Sequence, residues 1–376
     1  MDNNNFIKHI TLENYKSIKK LDLELKPLNV LIGSNGAGKS NLISFFNFLQ
    51  SIIKENLRGY VLDKGGCETF LHFGIKNATT IKFSMSYYIN GLPYDGFYSA
   101  SLKATTEQVF RFTREELHDI NHFSDSPSYG VETHIYDGER IFIHELEMEN
   151  KLSGYKGQNY LIKEFKSIQP FHFNDTSDTS PLKATVANND NLFLRADGQN
   201  LACMIKLIYD KHPEYYKMIV DTIRNVVPDF HDFVIRPNSE FLSLEWFNKN
   251  NVDIPWKAHY LSDGSLRFIA LAVLLLMPSE LQPQVIIIDE PEIGLHPTAL
   301  NVLSGLIKRA SLERQVIIST QSATLLSQFE PDDVIVVDKK DKYSEFKRLS
   351  NHDLAKWLES YTLGELWETN VIGGRP

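Results

Sequence analysis

One stretch constrains this chain more than any other: Gly33-Ser34-Asn35-Gly36-Ala37-Gly38-Lys39-Ser40. It fits the phosphate-binding pattern G-x-x-x-x-G-K-S in full. Leu28-Asn29-Val30-Leu31-Ile32 precedes it and reads as a buried strand. The residues after it, from Asn41 to Ile53, are apolar at Leu42, Phe45, Phe46, Leu49 and Ile53, which is helical spacing. Strand, glycine loop and helix are the context the pattern requires. Glycines let the backbone wrap close to phosphate oxygens, and the loop N–H groups and helix N-terminus then face negative charge. In that arrangement Lys39 neutralises the β- and γ-phosphates and the Ser40 hydroxyl reaches Mg²⁺. The binding set predicted from the loop is therefore Gly33, Ser34, Asn35, Gly36, Ala37, Gly38, Lys39, Ser40 and the adjoining Asn41. ATP and Mg²⁺ are the expected ligands.

The chain of 376 residues is long enough for two or three packed lobes, and 23% charged against 42% hydrophobic residues is a globular composition. The apolar run Phe268–Met277 is too short for a membrane span, and the polar start Met1-Asp2-Asn3-Asn4-Asn5 has no secretory pattern, so a cytoplasmic protein is expected. Cys67 and Cys203 are too few for a disulfide framework or a metal site. The net charge of −9 argues against a surface coated in nucleic acid. Lysines cluster locally, at Lys16, Lys19, Lys20 and Lys26 and again at Lys339, Lys340, Lys342, Lys347 and Arg348. Solvated faces are the ordinary explanation of both, and a DNA site the alternative.

Phe6–Leu12 and Leu21–Leu25 alternate as an antiparallel pair turned around Asn14-Tyr15-Lys16-Ser17. Strands are predicted at Thr80–Ile89, Phe97–Lys103, Gln108–Phe112, Gly130–Tyr136 and Arg140–Leu146, with hairpin turns at Asn90-Gly91 and Asp137-Gly138. Tyr155–Ile168 reads as helix and Phe171–Phe173 as extended. The polar stretch Asn174–Pro181 reads as a boundary. Helices follow at Asn200–Lys211 and Pro213–Val226, a strand at Phe241–Trp246 and a strongly apolar helix at Ser262–Met277. Strand Val285–Ile288, helix Pro297–Ala310, strand Gln315–Ser319, helix Ala323–Phe329 and strand Asp333–Val337 then alternate, a rhythm that implies a largely parallel sheet. No internal repeat and no long heptad array is visible.

Two further patterns carry chemistry. Val285–Ile288 runs into Asp289-Glu290, a carboxylate pair at the end of a buried strand. Beside a phosphate loop, Asp289 is placed to hold Mg²⁺ and Glu290 to act as general base on water. Leu261-Ser262-Asp263-Gly264-Ser265 offers a hydroxyl, a flexible glycine and a helix start, which suit an anion; taken alone it is a plain helix cap. Its place downstream of Lys39 and shortly before Asp289 matches the order of the signature motif in ABC-type ATPases.

With Gly294-Leu295-His296-Pro297 added, the chain resembles the ABC-type class that includes SMC, RecF and OLD ATPases. It is most similar to the stand-alone bacterial RecF/SMC-like ATPases with an ABC-type "AAA family" head. Pro170–Ser177, Leu261–Leu271, Glu290–Pro297, Ser319-Thr320-Gln321-Ser322 and the tail Leu363–Trp367 to Gly373–Pro376 carry that resemblance, which runs end to end and implies a complete chain. It implies an α/β P-loop NTPase fold: an ABC-type head with a β-rich lobe and a helical insertion, without a long coiled coil. It also implies dimeric chemistry. Two subunits sandwich two nucleotides, so that Ser262 and Gly264 act in trans while Lys39, Ser40, Asp289 and Glu290 act in cis; Ser262, Asp263 and Gly264 together join the expected nucleotide-binding set. Arg267 is expected either to carry a nucleotide signal along the signature helix or to be a plain surface residue.

The sequence departs from that class in two places. Many ABC ATPases carry histidine where this chain has Gln321; a neutral amide can orient water or contact the γ-phosphate but cannot take a proton, so slow turnover is expected. No clear glutamine loop is present, although His172, Asn174 and Asp175 fall near its position. His296 lies where a dimer-contacting loop usually runs.

These readings divide the chain into a β-rich ATP-binding lobe (1–170), a helical insertion (174–256) and a signature and Asp-Glu lobe (257–376). The expected activity is ATP binding and slow hydrolysis coupled to head-to-head homodimerisation, regulating an effector in genome maintenance (DNA repair) or antiviral, anti-phage defence. No nuclease-like acidic cluster follows the head. The effector is thus expected as a separate protein, a TOPRIM-like or HNH nuclease by analogy, with DNA a candidate ligand. The alternative is a nucleotide-dependent module that sequesters and releases a toxin or effector. A transporter subunit fits poorly, because the β-rich stretch Thr79–Leu146 is unlike the segment transporters have there and no membrane protein is implied.

Overall fold

The computed structural model describes residues 7–88, 95–118, 132–134, 165 and 168–375. Strands β1 (Ile7–Tyr15) and β2 (Ile18–Glu24) form the expected antiparallel pair. Strand β3 (Leu28–Ile32) leads through the glycine loop into helix α1 (Lys39–Ile53), followed by α2 (Leu57–Asp63). Strands β4 (Thr80–Tyr88), β5 (Asp95–Ala104), β6 (Phe110–His118) and β7 (Glu132–His134) join the first pair in a six-stranded antiparallel sheet of order β2-β1-β4-β5-β6-β7. The expected turns at 90–91 and 137–138, the strand at 140–146 and most of the helix at 155–168 lie outside the described residues.

Strand β8 (Gln169–Phe171) enters the second six-stranded sheet. The stretch after it holds β9 (Val186–Ala187), α3 (Leu201–Lys211), α4 (Pro213–Val226), β10 (Phe230–Phe233), β11 (Phe241–Leu242), β12 (Glu245–Asn248) and β13 (Asn251–Lys257). The single strand expected at Phe241–Trp246 is two: β11 pairs with β9, whereas β12 lies between β10 and β13. Alternation in sequence shows which residues face inward but not that the chain changes sheets at Ser243-Leu244.

Helix α5 (Asp263–Leu276), β14 (Val285–Asp289), α6 (Pro297–Ala310), β15 (Gln315–Thr320), α7 (Ala323–Leu326), β16 (Val334–Lys340), β17 (Tyr343–Arg348), α8 (Asn351–Leu358) and α9 (Leu363–Glu368) complete the chain. The second sheet runs β17-β16-β3-β15-β14-β8; its strands pair in parallel except β16 with β17. This is the sheet implied by the βαβα rhythm.

That sheet is a wall between two cores. Val30, Ile32, Ile286, Ile288, Val316, Ile318, Val334 and Val336 face the helices α3, α4, α5 and α6. Leu31, Val285, Ile287, Ile317, Ile335 and Val337 face α1 and the antiparallel sheet. Both faces are apolar, so the strands read as continuous runs of branched residues. Each such side chain contributes about 1.5–3 kcal/mol when fully buried. The buried Gln315 ties the two sheets together: its Nε2 donates to Ile7 O at 2.7 Å, and its Oε1 accepts from Ile7 N at 3.1 Å.

Candidate nucleotide site

The carboxyl ends of β3, β14 and β15 meet at one edge of the parallel sheet, where ligands bind in open α/β folds. Beyond β3, Gly38 stands at the start of α1 with φ 122°, and no side chain caps the helix. A Cβ at Gly38 would lie 2.0 Å from Ser344 Oγ. The Ser344 hydroxyl donates to Ala37 O and lies 2.6 Å from Ser17 Oγ, so β17 and the β1–β2 turn brace the loop from behind. The uncapped N–H groups of α1 are left to face whatever occupies the loop.

Lys39 is 4% exposed, and its Nζ donates to Gly33 O at 2.5 Å and Ser34 O at 3.3 Å. Burial pushes its pKa down, and Glu290, Asp289 and Glu292 pull it back up. Ser40 is exposed, while Asn41 Nδ2 donates to Ser17 Oγ at 2.5 Å. Ser40 and Asp289 both line a cavity of about 340 Å³ beside the loop, together with Lys16, Lys64, Tyr60 and His172.

Strand β14 delivers Asp289, whose Oδ1 accepts from the Ser319 hydroxyl on β15; these two residues are register partners in the sheet. Glu290 has φ 51°, a left-handed backbone that a non-glycine residue holds only under constraint. Its N–H donates to Ser319 O at 3.0 Å. Gln321 Nε2 donates to the Glu290 carboxylate, and Gln321 N donates to Glu292 Oε1 at 2.7 Å. Burial pushes the Glu292 carboxyl up, and its Oε2 is buried without a hydrogen-bond partner.

Ser262 is exposed and caps α5, accepting from Ser265 N at 3.2 Å. Asp263 is exposed beside it, and a Cβ on Gly264 would strike Gly294 O at 2.2 Å. Neither Ser262 nor Gly264 lines the cavity that Ser40 and Asp289 share. Arg267 is no plain surface residue: it donates to Phe173 O (3.3 Å), Asn174 O (2.6 Å) and Ile293 O (3.0 Å). Of the three glutamine-loop candidates, His172 lines the cavity, while Asp175 accepts from Ser177 N at 3.0 Å within its own turn. His296 caps α6.

The lysine clusters meet in space, with Lys19 Nζ 5.9 Å over the Tyr343 ring, but Asp22, Glu24, Asp338, Asp341 and Glu345 interleave with them. Lys16 belongs to neither solvated face nor patch: it is half-buried, bonds to Ser44 Oγ at 2.6 Å and lines the cavity. Lys16, His172, Ser319 and Glu292 are the residues whose place beside the loop sequence patterns did not establish. The Glu290-Pro291-Glu292 repeat was the available signal for the last.

The arrangement fits a nucleotide phosphate chain and a divalent cation: an uncapped helix start, a buried ammonium, and a hydroxyl and carboxylate sharing one cavity. Fold and site together define an ABC-type P-loop ATPase of the SMC/RecF-like class. The chain belongs to the family described as "AAA domain, putative AbiEii toxin, Type IV TA system", which matches residues 28–327. A curated relative, the DNA replication and repair protein RecF of Lactobacillus acidophilus, is 40% identical over 45 residues, and the match spans only 12% of either protein. The SmcHead bound to the C-winged helix domain of ScpA shares the fold at TM-score 0.61 and 14% identity, over 93% of this chain and 99% of that one. The Smc head with an extended coiled coil bound to the C-terminal domain of ScpA, from Pyrococcus furiosus, does so at TM-score 0.57 and 15% identity, over 94% and 99%. Among the described residues no helix is long and apolar enough to cross a membrane.

Proposed function

We propose that two copies of this chain close head to head on two ATP molecules, hydrolyse them slowly, and use the cycle to regulate a separate effector protein. The observation that carries this is the helix start at Ser262-Asp263-Gly264, phosphate-binding in type and exposed at Ser262 and Asp263, where neither Ser262 nor Gly264 lines the cavity shared by Ser40 and Asp289. Such a half-site is completed by the loop of a second copy. In cis, residues Gly33–Asn41 wrap the phosphates and Lys39 neutralises them, while Ser40 and Asp289 hold Mg²⁺. The cation, when bound, offsets charge on the β- and γ-phosphate oxygens. Glu290 takes the proton of the attacking water. Gln321, bonded to Glu290, orients it but cannot accept a proton itself, which keeps turnover slow. In trans, Ser262 and Gly264 meet the γ-phosphate, with Asp263 between them at the start of α5.

The deciding experiment is Ser262→Arg, which places a bulky side chain where the second loop must dock. ATP binding by the monomer should survive and ATP-driven dimerisation should vanish by light scattering; unchanged dimerisation and hydrolysis would sink the trans-acting reading.

The effector is a nuclease of TOPRIM-like or HNH type in genome maintenance or anti-phage defence, with DNA as a ligand of the assembly. Support comes from the RecF match and from Smc heads having been solved with ScpA domains bound. A second reading, sequestration and release of a toxin, is favoured by the toxin–antitoxin wording of the family description. Pull-down with the ATP-trapped Glu290→Gln protein separates them, through whether the co-purifying neighbour is a nuclease or a growth-inhibiting toxin.

A further inference from the structure

The first residue of the phosphate loop is pressed from two sides by backbone. A Cβ on Gly33 would lie 2.2 Å from Val337 O of β16. On the other side stands Gly374, buried, with φ +64°, where a Cβ would lie 3.3 Å from Gly33 Cα and 2.8 Å from Val336 Cγ1. Two hydrogen bonds hold Gly374 there: its N–H donates to Asp338 Oδ1 at 2.8 Å, and its carbonyl accepts from Trp367 Nε1 at 2.5 Å. Trp367 is fully buried on α9.

The other end of α9 is seated next to the catalytic edge. Gly364 N donates to Ser327 Oγ at 3.1 Å, and a Cβ on Gly364 would strike Ala323 O at 2.4 Å, so α9 packs on α7 without a side chain between them. Helix α7 begins at its cap Ser322, the residue after Gln321. A continuous packed path therefore leads from Gln321 through α7, α9, Trp367 and Gly374 to Gly33.

We propose that residues 363–375 form a latch that positions the phosphate loop, with Trp367 and Asp338 holding Gly374 against Gly33 so that the loop keeps the shape that accepts nucleotide. These are positioning residues, since none of them lines the cavity beside the loop. If the latch shapes the loop, linkage makes the effect reciprocal: nucleotide in the loop must stabilise the latch by the same factor that the latch improves nucleotide affinity.

Three variants test this in the full-length protein, with Mg-ATP affinity by titration calorimetry and hydrogen exchange of the 370–375 segment as readouts. Gly374→Ala adds a methyl group against Gly33 at a left-handed position, and Trp367→Phe keeps an aromatic ring but removes the donor. Both should weaken Mg-ATP binding about tenfold while the nucleotide-free protein stays folded by circular dichroism. Asp338→Asn, which retains an acceptor oxygen, should bind as the native chain does, whereas Asp338→Leu should not. In the native protein, ATP should slow exchange of the 370–375 segment by a similar factor. Native affinity in folded Gly374→Ala and Trp367→Phe, with exchange indifferent to ATP, overturns the latch. Should Gly374→Ala fail to fold, Trp367→Phe and the exchange measurement decide alone. Failure of the native protein itself to bind ATP would overturn the nucleotide site, a different result from unaltered binding in the variants.

Discussion

The two phosphate-binding halves of this molecule are built on opposite plans. The loop half is enclosed: Gly33, Ala37, Gly38 and Lys39 are buried, and β16, β17 and the β1–β2 turn stand behind them. The signature half is a bare helix start, with Ser262 and Asp263 exposed and the hydroxyl spent on its own cap. Burying an ammonium is costly unless its donors are satisfied, and the loop half meets that cost within one chain through two carbonyls and three nearby carboxylates. The signature half needs no such enclosure until a ligand arrives with its counterpart. Binding should therefore belong to the loop half, and closure to the other.

The largest expected effect lies where the loop half meets the chemistry. Glu290→Gln should keep ATP affinity and lower the hydrolysis rate on the order of 10²–10⁴-fold, as removal of a general base does. Wild-type turnover in single-cycle kinetics would take Glu290 out of that role. Next comes Lys39→Ala, which removes the charged donor to the phosphates at about 3 kcal/mol, roughly a hundredfold in Kd by calorimetry. Unchanged affinity would break the assignment of binding to the loop half. On the signature half, Ser262→Ala should leave monomer affinity unaltered and cost about 1 kcal/mol of stability through the lost cap, read from urea unfolding. A drop in monomer affinity there would erase the contrast between the halves.

The smallest effect is electrostatic. Burial raises the Glu292 pKa in the folded protein. The stability linked to its proton is thus fully present below the ordinary glutamate pKa and lost as pH rises through the folded value. Glu292→Gln keeps a carbonyl to accept from Gln321 N. It should raise the thermal midpoint slightly at about pH 8, with the gain fading toward about pH 4, where the native carboxyl is protonated too. A gain that persists at low pH would point to packing instead of charge.

What sequence could reveal divides along physical lines. The loop, the Asp289-Glu290 strand end and the Ser262 helix start are local patterns, and each sits on its predicted element. The residues completing the site come from elsewhere: Ser319 reaches Asp289 through parallel register, His172 follows directly after β8, and Lys16 is folded inward by the β1–β2 turn. Strand pairing between distant segments leaves no mark on local composition. For the same reason the lysine clusters looked separate and more basic than the acid-laced surface they share.

Strand β3 carries a consequence for synthesis. It is among the first segments to leave the ribosome, yet its neighbours in the sheet are β15 and β16, among the last. Until residues near 340 emerge, the buried run Leu28–Ile32 has no ladder on either side and the loop after it has no backing. A nascent chain thus cannot use ATP as a template for its early folding, and it holds the apolar strand β3 unpaired for most of translation. Such surfaces are what chaperones bind. Competence to bind nucleotide should arrive late and all at once, when the final strands insert on both sides of the first.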